Sequence, residues 1–149
     1  MAYDLKNKTI LVTGSTDGLG RLLALQLARL GANVIVHGRS PDKTDKVLKE
    51  LREISSTGLF SAIVCDLNKP ESIPDQIANV KQLDILINNA GVWLEGNTVE
   101  VTQEKIIEVT NVNLCAPMVI TLSLLPILLK SSYSQILNTS SIAGVTLPE

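Results

Sequence analysis

Five short aliphatic runs, spaced so that a helix fits between most neighbouring pairs, most restrict what this chain can fold into. They are TILVT (9–13), NVIVHG (33–38), LFSAIVC (59–65), LDILIN (83–88) and QILNTS (135–140). Each is too short for a helix and carries apolar residues at consecutive positions rather than alternate ones, which is how a strand covered on both faces reads. The segments between them have helical periodicity. Leu19, Leu22, Leu23, Leu27 and Leu30 predict one apolar face, with Gly31 where a C-terminal cap belongs. Ser40-Pro41 predicts an N-cap with proline in the first helical position, followed by Val47, Leu48, Leu51 and Ile54 on one stripe. Asn68-Lys69-Pro70-Glu71 opens a third helix backed by Ile73, Ile77 and Val80, and a long helical region covers about 102–130 through Ile106 and Val109.

Strands apolar on both faces and alternating with helices specify a parallel sheet with helices on each side. Right-handed crossovers then make the fold class α/β, a doubly wound, Rossmann-like three-layer α/β/α sheet, read as one domain over 1–149 that stops after its fifth strand. The core must be aliphatic, because aromatics are 3% of the residues against 45% hydrophobic overall. Thirteen basic and fifteen acidic residues leave a net charge of −2 with no Lys/Arg-rich block, so nucleic acid is not an expected partner. Cys65 and Cys115 match no metal-ligand spacing and read as reduced thilols of a cytoplasmic protein without a metal site. The stretch MAYDLKNKTI carries charge where a signal peptide would be apolar, so no secretion signal is expected, and the apolar stretch 116–129 is broken by Thr121, Ser123 and Pro126, so no membrane segment is expected there.

In sheets of this kind ligands sit at the carboxyl ends of the strands. After the first strand comes TGSTDGLG, with Gly14, Gly18 and Gly20 in G-x-x-x-G-x-G spacing, distinct from the G-x-G-x-x-G dinucleotide pattern. A glycine-rich turn there is either a tight connection or a pyrophosphate cradle at a helix N-terminus, and its place between strand and helix favours the cradle. After the second strand, where an acidic residue would bond a ribose 2′-hydroxyl, stand Gly38 and Arg39. An arginine there is either a solvated surface residue or a fork for a 2′-phosphate, which favours NADP over NAD. His37 has no partner ligands and reads as structural.

The remaining clusters are CDL (65–67), NNAG (88–91), VNL (112–114) and NTSS (138–141). Singly they are a helix cap at Asp66, turn formers at Asn88 and Asn89, and a backbone-bonding Asn113. In this order the chain resembles the short-chain dehydrogenase/reductase family, whose T-G-x-x-x-G-x-G, D-[VL], N-N-A-G, helical Asn and post-strand Ser are matched from Thr13 to Ser141. The resemblance implies a pyrophosphate site at Gly14, Ser15, Thr16, Gly18, Leu19 and Gly20, adenine contacts at Asp66 and Leu67, and a ribose wall at Asn89, Ala90 and Gly91. It also implies a proton-relay Asn113 and a catalytic Ser141, the latter from S-x-x-G at Ser141-Ile142-Ala143-Gly144, with Ser140 a structural neighbour. The implied activity is hydride transfer between NADP and a small-molecule carbonyl or alcohol. Trp93 either borders the substrate pocket or packs as a partly exposed aromatic.

Family members follow the serine with Tyr-x-x-x-Lys. Here the tyrosines are Tyr3 and Tyr133, and Leu137 stands four residues after Tyr133. The chain is therefore expected to be a cofactor-binding portion, inactive by itself, that associates with a second copy through the helix around 102–130. A non-catalytic nucleotide-binding regulatory or interaction module is the alternative. A methyl transferase would leave NNAG, Asn113 and Ser141 unexplained.

Overall fold

The computed structural model describes residues 4–94 and 98–141. Its strands are β1 (Thr9–Val12), β2 (Asn33–Gly38), β3 (Phe60–Val64), β4 (Ile85–Asn88) and β5 (Gln135–Asn138), all parallel, in the order β3-β2-β1-β4-β5. Two strands, β2 and β3, step outward on one side of β1, and the chain then returns to build β4 and β5 on the other. That reversal opens a crevice at the carboxyl ends of β1 and β4.

The apolar runs fill both faces because side chains alternate along each strand. Ile10, Val12, Val34, Val36, Ile85 and Ile87 point to one face, where they pack with Ala24, Leu27 and Ala28 of α1 (Gly18–Arg29) and Val47, Leu48 and Leu51 of α2 (Pro41–Ile54). Leu11, Ile35, Ile63 and Leu86 point to the other, against α3 (Ile73–Ile77) and a long helix. That helix comprises α4 (Gln103–Thr110), a π-type turn (Asn111–Cys115) and α5 (Ala116–Leu128). The expected caps form: Ser40 Oγ accepts from Lys43 N with Pro41 behind it, and Thr102 Oγ1 accepts from Lys105 N.

Two expectations are corrected. The leucine stripe of α1 is buried only in part, at Leu27 and partly at Leu23. Leu19, Leu22 and Leu30 are each more than half exposed, and Gly20, Ala24 and Ala28 meet the sheet beside Leu27. Small residues let α1 lie close on β1, and the bulkier leucines are turned outward. The third helix is preceded by a 3₁₀ turn at Pro70–Ser72 with no side-chain cap, so α3 is only five residues long. The long helix expected over about 102–130, with the apolar stretch at its end, does form. The π-type turn carries the helix unbroken through Gln103–Leu128, 26 residues, which by length and composition alone would cross a membrane. Val112, Ala116, Ile120, Leu124 and Leu128, four apart, are nonetheless buried with Leu11 and Leu86, as in a core helix.

At the amino edge of the sheet one buried carboxylate joins three strands. Asp84 Oδ2 accepts from Thr9 N at 2.8 Å, and Oδ1 accepts from the Ser131 hydroxyl. Its own N–H donates to Thr9 O at 2.8 Å and its carbonyl accepts from Gln135 N at 3.0 Å. Asp84→Ala leaves the part-buried Thr9 amide without its acceptor and the Ser131 hydroxyl with the Tyr133 carbonyl alone, and should cost about 1–3 kcal/mol in urea unfolding. A change under about 0.5 kcal/mol would show that the carboxylate does not tie the strands.

Candidate functional site: a cleft at the strand-order reversal

The cleft is built from the end of β1. Thr13 is buried, and its hydroxyl accepts from the backbone N–H groups of Asn89 (2.9 Å) and Ala90 (3.0 Å) while facing Ile87 O at 3.4 Å. Asn89 returns the contact, its Nδ2 donating to Thr13 O at 3.0 Å. Gly14 follows at φ 64°, in left-handed backbone, and a Cβ there would sit 2.8 Å from Ala90 Cα. A Cβ on Gly20 would strike the Gly14 carbonyl and lie 2.5 Å from Asn89 Nδ2. The glycines therefore let turn, helix and the NNAG segment close on one another, leaving backbone rather than side chains facing the cleft.

His37 lies under this turn. Its Nδ1 accepts from Gly14 N at 3.0 Å, and its backbone brackets Ser15, whose N–H and hydroxyl both bond to it. Burial pushes the imidazole down to about 4 from its usual 6.5, opposed weakly by the Cys65 backbone. Nε2 has no partner at full hydrogen-bond geometry among the described residues. The structural role expected for His37 holds, and the ring supports the turn in neutral form. Ser15 is corrected: it is fully buried with hydroxyl and N–H both committed to His37, so it holds the turn from beneath rather than facing the cleft.

The cleft measures about 660 Å³ and is lined by Gly14, Thr16, Gly18, Leu19, Gly20, Arg39, Asp66, Leu67, Asn89, Ala90 and Gly91 among others. Eleven of the twelve residues expected to hold cofactor, all but Ser15, are thus brought together. Asp66 Oδ1 accepts from Asn68 N at 3.1 Å, shaping the loop after β3, and Asn111 Nδ2 fastens that loop by donating to Asn68 O at 3.0 Å. Burial, then the neighbouring Asp66 charge, raises the Cys65 thiol.

Ser141 and Asn113 line an adjoining cavity of about 890 Å³ with Trp93, Met118, Asn138 and Ser140. Among the described residues that line this cavity none is charged. Asn113 sits in the π-type turn, a geometry common at functional sites. Its Oδ1 accepts from Val92 N and its Nδ2 donates to Val92 O, both at 2.9 Å. It therefore clamps the segment leading to Trp93, which is 70% exposed at the cavity edge. The rest of the S-x-x-G motif, Ile142, Ala143 and Gly144, and also Tyr3, lie outside the described residues. Tyr133 precedes β5 and stacks under Lys8 Nζ at 5.5 Å, at the opposite edge of the sheet from the cleft. Thr13, Asn111 and Glu108 carry or line the site without having been singled out in the sequence; a polar residue ending an apolar strand was the available signal for Thr13.

A family model described as short chain dehydrogenase matches residues 8–148, and the chain belongs to that family. It is similar to the 3-oxoacyl-acyl-carrier-protein reductase FabG of Rickettsia bellii, 29% identical over 143 residues, 96% of this chain and 57% of that protein. It is also similar to the 2-dehydro-3-deoxy-D-gluconate 5-dehydrogenase of Bacillus subtilis strain 168, 33% identical over 156 residues, 99% of this chain and 59% of that protein. The chain thus spans somewhat over half the length of these curated relatives. Among solved structures, a metagenomic short-chain oxidoreductase in complex with NADP superposes at a TM-score of 0.83 with 29% identity, covering 97% of this chain and 66% of that one. A short-chain dehydrogenase from Sphingobium yanoikuyae in complex with NADPH does so at 0.83 with 28% identity, covering 93% and 55%.

The buried imidazole gives the turn a pH signature. With its folded value below its unfolded value, His37 contributes stability above about pH 6.5 that is lost as pH falls toward about 4. Between pH 7 and pH 5 the loss should be roughly 2 kcal/mol in urea unfolding. His37→Gln should remove that part of the dependence; parallel losses in both proteins would contradict the assignment.

Proposed function

We propose that this chain is the cofactor-binding portion of an NADP-preferring short-chain dehydrogenase/reductase, an oxidoreductase moving hydride between nicotinamide and a carbonyl or alcohol carbon. The observation that carries the reading is the position of Arg39 at the rim of a cleft whose floor is glycine backbone. When bound, the cofactor supplies or takes up the hydride. Gly14, Thr16, Gly18, Leu19 and Gly20 would hold the pyrophosphate at the amino end of α1, with the Gly14 and Gly18 amides kept by His37 and Asp17 so that the turn holds its shape. Arg39 forks onto the 2′-phosphate, Asp66 and Leu67 border the adenine, and Asn89, Ala90 and Gly91 border the nicotinamide ribose. The bound NADP and NADPH of the two structural relatives support the cofactor choice.

Ser141 donates a hydrogen bond to the substrate oxygen as it gains charge, and Asn113 sets the Val92–Trp93 wall beside it. Protonating that oxygen takes an acid, the family's Tyr-x-x-x-Lys, which this sequence does not contain, so the chain by itself binds cofactor without turnover. The uncharged lining beside Ser141 suits a neutral carbonyl or alcohol. The exposed Leu114, Met118, Leu122, Leu125 and Leu129 support homo-oligomerisation through the long helix, and the reduced, buried Cys65 suits the cytoplasm.

NADPH should bind roughly 10- to 100-fold more tightly than NADH, the span of about 1.5–3 kcal/mol for hydrogen bonds to a charged group, and Arg39→Asp should erase or reverse the ratio. Isothermal titration of both cofactors checks this, and equal affinities for the unchanged chain would overturn the NADP assignment.

A further inference from the structure

The 2′-phosphate corner of the cleft holds more charge than Arg39 alone. The glycine turn and the end of β2 touch where Thr16 meets Gly38; a Cβ on Gly38 would fall 2.5 Å from Thr16 Cγ2. Asp17 and Arg39 each follow that contact by one residue, and both line the cleft. A carboxylate lining the same cleft is unfavourable for a phosphate, which brings up to two negative charges of its own. Asp17 is already engaged on both oxygens. Oδ1 accepts from Gly18 N at 2.9 Å, capping α1, and Oδ2 lies 3.7 Å from Lys43 Nζ. Lys43 reaches it from the first turn of α2, where its backbone N–H is capped by Ser40 Oγ.

Both members of this pair are largely exposed, with side chains 62% and 85% accessible for Lys43 and Asp17, and an exposed pair is weak enough to exchange. We propose that Lys43 is a second specificity-determining residue for the 2′-phosphate, held beside the cleft by Asp17 until the phosphate is present. On binding, the ammonium exchanges a carboxylate oxygen for a phosphate oxygen, while Asp17 stays on the Gly18 amide. Asp17 is thus both the counter-ion that stations Lys43 and a standing repulsion against the phosphate. This inference rests on the reading of the cleft as an NADP site.

The test compares 2′,5′-ADP with 5′-AMP, which share the adenosine and 5′-phosphate and differ in the 2′-phosphate, by calorimetric titration at low salt and at 0.15 M. Lys43→Met keeps the aliphatic stem and should weaken 2′,5′-ADP about fivefold at low salt, less at 0.15 M, with 5′-AMP within about twofold. Asp17→Asn, which still caps a helix, should tighten 2′,5′-ADP about two- to threefold and 5′-AMP by less, since both carry the 5′-phosphate and only one the 2′-phosphate. Equal effects of Lys43→Met on both ligands, or none on either, would overturn the role of Lys43 while leaving the NADP reading intact. An unchanged chain that does not prefer 2′,5′-ADP would overturn the NADP reading itself, and this inference with it.

Discussion

The Thr13 hydroxyl is the constraint on which the site depends. It ends the central strand, and by accepting from Asn89 and Ala90 it forces the carboxyl ends of β1 and β4 to separate by one side-chain hydroxyl and no more. Everything on the cofactor side is then placed by contact. Asn89 returns a bond to Thr13 O, Gly14 presses on Ala90, and Gly20 fits against both the Gly14 carbonyl and the Asn89 amide. Two further supports hold the assembly from the flanks: neutral His37 under Gly14, and Asn111 fastening the loop that carries Asp66. A buried network of this kind fixes geometry because each group left without a partner would carry its full desolvation cost.

The amino edge of the sheet is fastened differently. There Asp84 joins β1, β4 and the start of β5 through a carboxylate and its own backbone, leaving the opposite edge to the ligand. The division places Tyr133, although a tyrosine near the last strand, away from the cleft. It belongs to the Lys8 and Asp84 end, with the full length of β5 between it and Ser141.

The fold was legible because the strands are apolar on both faces, and that pattern admits few arrangements. The cleft residues were legible as a set because parallel strands deliver their carboxyl ends to one edge, so Gly14, Arg39, Asp66 and Asn89 had to meet. Packing detail was not legible. Leu19, Leu22 and Leu30 have the hydropathy of a core stripe, yet a helix lying close on a sheet puts its small residues inward, and Gly20, Ala24 and Ala28 took that face. Ser15 reads as a phosphate ligand until its hydroxyl is seen bonded to the His37 backbone. The partner of the Asn113 side chain was equally hidden: both ends of its amide hold Val92. Polar side chains choose partners brought together across 22 and 21 residues of sequence in these two cases, which no local pattern encodes.

The central claim is that the edge organised by Thr13 and Asn89 is where NADP binds. Backbone amide NMR of the isotopically labelled chain during NADPH titration tests it directly. The account predicts that resonances of residues 14–20, 39, 66–67 and 89–91 shift together along one saturating curve, while those of 6–8, 81–84 and 131 at the far edge stay in place. Saturable shifts centred on the Lys8 and Asp84 edge, or none at 14–20, would contradict it.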